Sequence, residues 1–217
     1  EKAEDFDLAV HDLIKKYASE HQRIVFNGNG YSEEWVEEAA RRGLPNIRTM
    51  VEAIPVLTEE KTIELFEKFK VFTRAELESR AEIQYETYSK AINIEARSMI
   101  DIASKHIIPA VLQYTTALAT SINQIREACT EANISVQIEL LKECSSLLAA
   151  TKAALKELTE VTETAAAKPE GRERAVYIQD MVVPAMEALR RPVDRLEMLV
   201  AKEMWPMPSY GDLIFEV

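Results

Sequence analysis

"TRAELESRAEIQYETYSKAINIEARSMIDIASKHIIPAVLQYTTALATSINQIREACTEA", residues 73–132, contains no glycine and a single proline, Pro109. Glycine and proline are the strongest punctuation a chain has, so a stretch of this length without them predicts a long helix. Thr73-x-x-Glu76 is a capping box at its start: hydroxyl and carboxylate satisfy two N–H groups that the first turn leaves unpaired. Ile107, Val111, Tyr114, Leu118, Ser121, Ile125 and Ala128 alternate spacings of four and three, a heptad seam. Earlier in the helix Ala81, Tyr85, Tyr88 and Ile92 share one face. Pro109 lacks an N–H and clashes with the carbonyl of Lys105, which predicts a bend there.

The pattern extends to the C-terminal side. No glycine occurs between Gly43 and Gly171, and Pro109 is the one proline between Pro55 and Pro169. From Ser135 to about Ala167 the seam repeats as Leu141, Cys144, Leu148, Thr151, Leu155, Leu158, Thr162 and Ala165. Leu140, Leu147, Ala154 and Val161 widen it. Val182, Met186, Leu189, Val193, Leu196 and Val200 mark a third helix. Short connections at Asn133 and at "KPEGRE" join the three, so the expected fold is mainly α, an antiparallel bundle of long helices. The first helix, at roughly 88 Å if straight, is longer than its partners at about 50 Å, so its early half overhangs and needs cover. Beyond Glu203, Pro206 and Pro208 predict an extended tail, residues 205–217. Its apolar residues, Trp205, Leu213 and Phe215 among them, predict docking rather than fraying.

The N-terminal part is built differently. Phe6, Val10, Leu13 and Tyr17 predict an amphipathic helix ending near His21. Arg23–Phe26 reads as one short strand running into the turn Asn27-Gly28-Asn29-Gly30, residue types that tolerate positive φ. Ser32, followed by Glu33 and Glu34, caps a helix that stops at Gly43. Thr49-x-x-Glu52 opens a short helix broken at Pro55, and Thr58 with Glu59 and Glu60 opens another. The Asn27–Gly30 turn is not a phosphate loop: Gly30 is followed by Tyr31-Ser32-Glu33-Glu34 where a P-loop carries Gly-Lys-Ser/Thr.

The chain has 217 residues, is 47% hydrophobic and 29% charged, and carries a formal charge of −11. That acidity argues against nucleic acid and against anionic membranes as partners. No apolar run reaches the roughly 20 residues of a membrane span, and the acidic start lacks a signal-peptide core. The expected location is cytoplasmic, with Cys129 and Cys144 as buried thiols. Without an initiator methionine, the chain is expected to begin inside a longer one. His11, His21 and His106 form no Glu-x-x-His or His-x-x-x-His pair, and His106-Ile107-Ile108-Pro109 lacks the glycine of a phospho-accepting histidine motif. No catalytic, cofactor-binding or metal-binding residue is assigned.

Three long strings carry a resemblance. "HQRIVFNGNGYSEEWVEEAARRGLPNIRT" is similar to the end of the catalytic region of type III glutamine synthetases. "FEKFKVFTRAELESRAEIQYETYSKAINIEARSMIDIASKHIIPA" and "MWPMPSYGDLIFEV" are similar to the helical extension that follows it in that family. The resemblance implies an intact enzyme, a large two-ring oligomer, that joins ammonia to glutamate with ATP and divalent Mg or Mn. It implies that residues 1–57 are a remnant of an α/β catalytic domain, with the short strand and its turn left from it, and that residues 58–217 are the C-terminal extension. The family's metal and phosphate ligands lie upstream, so the fragment alone is expected to be inactive and to hold no cofactor. Its expected partners are the upstream catalytic domain and other subunits of a homo-oligomer. Tyr85, Tyr88, Trp205, Tyr210 and Phe215 are the candidate interaction residues, and Asn27, Gly28, Asn29 and Gly30 are a structural turn. The bundle would serve assembly or regulation; the alternative is a free-standing helical adaptor or effector-binding module without catalytic activity.

Overall fold

The computed structural model describes residues 3–25 and 27–215. The chain forms two compact units, residues 1–48 and 49–217. Among the described residues there is no strand.

The first unit holds α1 (Ala3–Glu20) and α2 (Glu33–Arg41). The strand expected at 23–26 is corrected by the structure: Gln22–Ile24 is a 3-10 turn, and Phe26 lies outside the described residues. A lone strand has no neighbour for its N–H and C=O groups, so the chain satisfies them locally. The Ile24 amide donates to His21 O and the Val25 amide to Gln22 O, both at 3.0 Å. In the Asn27–Gly30 turn, Asn29 Oδ1 accepts from the Tyr31 amide at 3.0 Å, an Asx turn. Ser32 caps α2 by accepting from the Trp35 amide at 3.3 Å. The helix ends where Gly43, at φ 73°, admits the left-handed turn. Leu44 N–H closes on Ala39 O at 2.9 Å and Gly43 N–H on Ala40 O at 3.0 Å.

The second unit opens with α3 (Met50–Ala53), a 3-10 turn over Ile54–Thr58, and α4 (Glu60–Lys68). Thr49 caps α3 through the Glu52 amide. Thr58 caps nothing; the cap of α4 is Glu59, and the Thr58 hydroxyl donates to Pro55 O at 3.1 Å. Three long helical runs follow. The first is α5 (Arg74–Ile102), a π-turn over Ala103–Ile107, and α6 (Ile108–Ala128). The second is α7 (Ser135–Ala167). The third is α8 (Arg172–Tyr177), a π-turn over Ile178–Val182, and α9 (Val183–Glu197). α7 packs against both α6 and α9, the bundle that the seams require.

The full capping box forms at α5: the Thr73 amide donates to Glu76 Oε2 at 2.8 Å, and the Glu76 amide to Thr73 Oγ1 at 3.4 Å. The π-turns answer the proline problem. Pro109 and Pro184 each stand second in the α-helix that follows a π-turn. The preceding amide reaches back five residues, Ile108 N–H to Ala103 O and Val183 N–H to Ile178 O. One wide turn lets the ring pass without ending the helix.

Three buried clusters line the bundle. Ala96, Ala103, Leu155, Leu158, Ile178, Val182 and Leu189 form the largest. Ile107, Val111, Cys144, Leu196 and Val200 form another, with Trp205 packed on it. The third contains Val51, Ile54, Ala81, Tyr85 and Ala175, and it covers the overhanging half of α5. Val51 and Ile54 are therefore core residues of the helical unit. The compact unit begins at Thr49.

The C-terminal segment departs from the extended tail that its prolines predicted. After a 3-10 turn at Lys202–Met204 and the two prolines, Tyr210–Phe215 forms a short helix, α10. Ser209 and Asp212 make its capping box: the Ser209 amide donates to Asp212 Oδ2 at 2.7 Å and the Asp212 amide to Ser209 Oγ at 3.3 Å. The prolines keep residues 206–208 out of a helix but do not forbid a new one that begins at Tyr210, two residues past Pro208. Glu216 and Val217 of the expected tail lie outside the described side chains.

Candidate functional site

The side chains with chemical potential are dispersed. Among the described residues no group of three or more His, Cys, Asp or Glu could hold a metal ion. His11 and His21 are exposed on and after α1, with the His21 ring stacked on Tyr17 at 6.0 Å between centroids. His106 is exposed on the first π-turn. Cys144 is buried, and burial pushes its thiol up from the ordinary value. Cys129 is exposed, a correction to the expectation of two buried thiols. It stands just past the end of α6, where the heptad seam has run out.

The candidate interaction residues divide into two groups. Tyr85 is 7% exposed and packs within the chain's own core beside Val51, Ile54 and Ala175. Tyr88 is half-buried and touches two of the clusters. Burial pushes both phenols up from their ordinary range. These rings are spent on holding the overhang of α5. Trp205 is half-buried against the cluster around Leu196 and Val200, and its Nε1 is buried without a hydrogen-bond partner. Phe215 is 82% exposed. The side chain of Tyr210 lies outside the described residues.

Among the described residues, apolar side chains stand exposed on both α1 and α10. On α1, Phe6, Leu13 and Tyr17 are 62%, 50% and 53% exposed. On α10, Leu213 and Ile214 accompany Phe215 in water. Yet α10 is tied at its root. Lys202 Nζ donates to Asp212 Oδ1 at 2.7 Å. That bond, with those from Ser209, holds the Asp212 carboxyl down at about 2. The tail is thus anchored at Trp205 and at the cap of α10, while Leu213, Ile214 and Phe215 stand exposed.

The family model for the glutamine synthetase C-terminal domain matches residues 9–126. The chain belongs to this family. The match to the glutamine synthetase C-terminal domain runs from α1 into α6. A glutamine synthetase of Butyrivibrio fibrisolvens is 34% identical over 96% of this chain and 30% of its own length. One from Bacteroides fragilis is 34% identical over 96% of this chain and 29% of its own length. A type-3 glutamine synthetase of Dictyostelium discoideum is 33% identical over 99% of this chain and 30% of its own length. The chain therefore spans about a third or less of the curated relatives it matches. No described helix is long and apolar enough to cross a membrane.

Proposed function

We propose that this chain is the C-terminal, non-catalytic part of a type III glutamine synthetase and that it serves packing between parts of that enzyme. In the whole protein a separate catalytic region would ligate ammonia to glutamate with ATP and Mg or Mn. Residues of the first unit would complete that region, and the helical unit would pack against it or against neighbouring subunits of a cytoplasmic homo-oligomer. The acidic charge of −11 disfavours nucleic acid and anionic membranes as alternatives.

One observation carries this reading. The apolar faces of α1 and α10 stand in water, although burying one large side chain is worth about 1.5–3 kcal/mol. A face with Phe6, Leu13 and Tyr17 at helical spacing has the form of an interface residue set without its partner. The free-standing adaptor reading would leave both faces for an unrelated protein. The test is sedimentation and glutamine-forming assay of the whole enzyme carrying Phe6→Glu with Leu13→Glu. The packing reading expects smaller particles and lower activity. Unchanged particles with full activity would overturn it.

A further inference from the structure

A cavity of 110 Å³ lies where α5 passes the junction of α7 and α8. Its lining includes Glu86, Ser89 and Lys90 from α5, and Glu170, Gly171 and Arg174 from the junction. Two ion pairs stand at it. Lys90 pairs with Glu86 along α5, and Arg174 Nη1 reaches Glu170 Oε1 at 3.4 Å. The second pair is loose for a charge-assisted bond, which ordinarily closes to about 2.7–2.9 Å. The Arg174 guanidinium is fixed by its other side: Nε and Nη2 both donate to Lys168 O, at 2.9 Å for Nε. That leaves its Nη1 side held by Glu170 alone. Ser89 is 6% exposed and its hydroxyl has no hydrogen-bond partner. Most buried hydroxyls in a native structure are paired, and those that are not call for an explanation.

The geometry points to a binding site for a small zwitterion of the amino-acid class. The two cations and two carboxylates sum to zero, so a ligand of net charge would find as much repulsion as attraction. A molecule carrying both a carboxylate and an ammonium matches both signs, the carboxylate toward Lys90 and Arg174 and the ammonium toward Glu86 and Glu170. The volume holds a few waters or one molecule of that size, and no aromatic ring lines it to stack a nucleobase. Arg174 also holds the carbonyl of Lys168, the residue that follows α7, and Tyr85 and Ala175, the chain neighbours of Glu86 and Arg174, belong to the cluster that seats Val51 and Ile54. A ligand here would bridge α5 to the α7–α8 junction. The site does not rest on the packing role proposed above.

The experiment is amide-resolved NMR titration of the full chain with glycine, L-alanine and L-glutamine, beside acetate and methylammonium separately. The expected result is saturable shifts confined to residues 86–93 and 165–175 with Kd below about 10 mM for at least one amino acid. Lys90→Gln and Glu86→Gln alter exposed side chains and leave the core intact, and each should weaken binding about tenfold. Arg174 is left alone because it holds the Lys168 carbonyl at the α7–α8 junction. No saturable shift up to that concentration overturns the proposal, and the cavity then holds water only. Acetate binding as tightly as the amino acids, or both variants binding undiminished, overturns it equally.

Discussion

Thr162 and Thr151 are both buried in α7, at 5% and 0% exposure, and they differ in one respect. The Thr151 hydroxyl donates to Leu147 O at 2.8 Å, whereas Thr162 Oγ1 is buried with no partner. Replacing Thr162 by Val removes an unsatisfied hydroxyl, whose desolvation costs about 1–3 kcal/mol. The side chain remains β-branched, so helix propensity and rotamer freedom barely change. The added methyl is of the same shape and contributes up to about 0.8 kcal/mol of burial. Thr162→Val should therefore stabilise the helical unit by about 1–3 kcal/mol. For a unit of this size that corresponds to a melting rise of roughly 2–4 °C per kcal/mol. Thr151→Val gains the same methyl but loses a made hydrogen bond of about 0.5–1.5 kcal/mol, so it should fall within about 1 kcal/mol of neutral. Urea unfolding monitored by circular dichroism, with calorimetry beside it, measures both. A Thr162→Val midpoint at or below that of Thr151→Val would refute the reasoning, since the two sites would then be equally satisfied.

Ile54 is 1% exposed under the overhang of α5, so Ile54→Ala should cost about 2–5 kcal/mol in the unfolding of the helical unit; a loss below about 1 kcal/mol would mean that residues 49–57 do not belong to that core. Lys70 sits at φ 55° just past the end of α4, a left-handed position that glycine occupies without strain, and Lys70→Gly should stabilise by about 0.5–1 kcal/mol in the same urea assay. Asp212, lowered to about 2 from 3.8 by Lys202 and Ser209, contributes stability that is present above the unfolded value and lost as pH falls through the folded one. The helical chemical shifts of α10 should accordingly fade between about pH 4 and pH 2 in the parent, while Asp212→Asn should show no such step. Trp205 packs on Leu196 and Val200, and its fluorescence should be blue-shifted in the folded chain and move to the red on Leu196→Ala.

The sequence was most legible where one period governed a long element. α7 spans Ser135–Ala167, the range the heptads predict, and Cys144, Thr151, Leu155, Leu158, Thr162 and Ala165 of its seam are buried. Its flanking Leu140, Leu147, Ala154 and Val161 are half-buried, as a widened seam requires. Legibility failed where a local motif competed with a breaker. Pro206 and Pro208 predict an extended tail, while Ser209-x-x-Asp212 is the signal for α10. At Arg23–Phe26 the β-rich composition predicts a strand, but composition cannot supply a neighbouring strand, and Gln22–Ile24 is a 3-10 turn. The interaction candidates show a related limit. Tyr85 and Trp205 are aromatic residues outside the main seams, and pattern alone could not tell that Val51, Ile54 and the end of α9 lie within reach. The ion pairs and the unpaired hydroxyl at the α5–α7–α8 cavity come from residues far apart in the chain, and no spacing rule brings Ser89 and Arg174 together.

The most direct test is the sedimentation coefficient of the whole glutamine synthetase of which this chain is proposed to be the C-terminal part, compared with that of the same protein lacking residues 49–217. The account predicts that the intact protein sediments as a large homo-oligomer and that the truncated one dissociates into smaller particles. A truncated enzyme that keeps the same large assembly and the same rate of glutamine formation would contradict it.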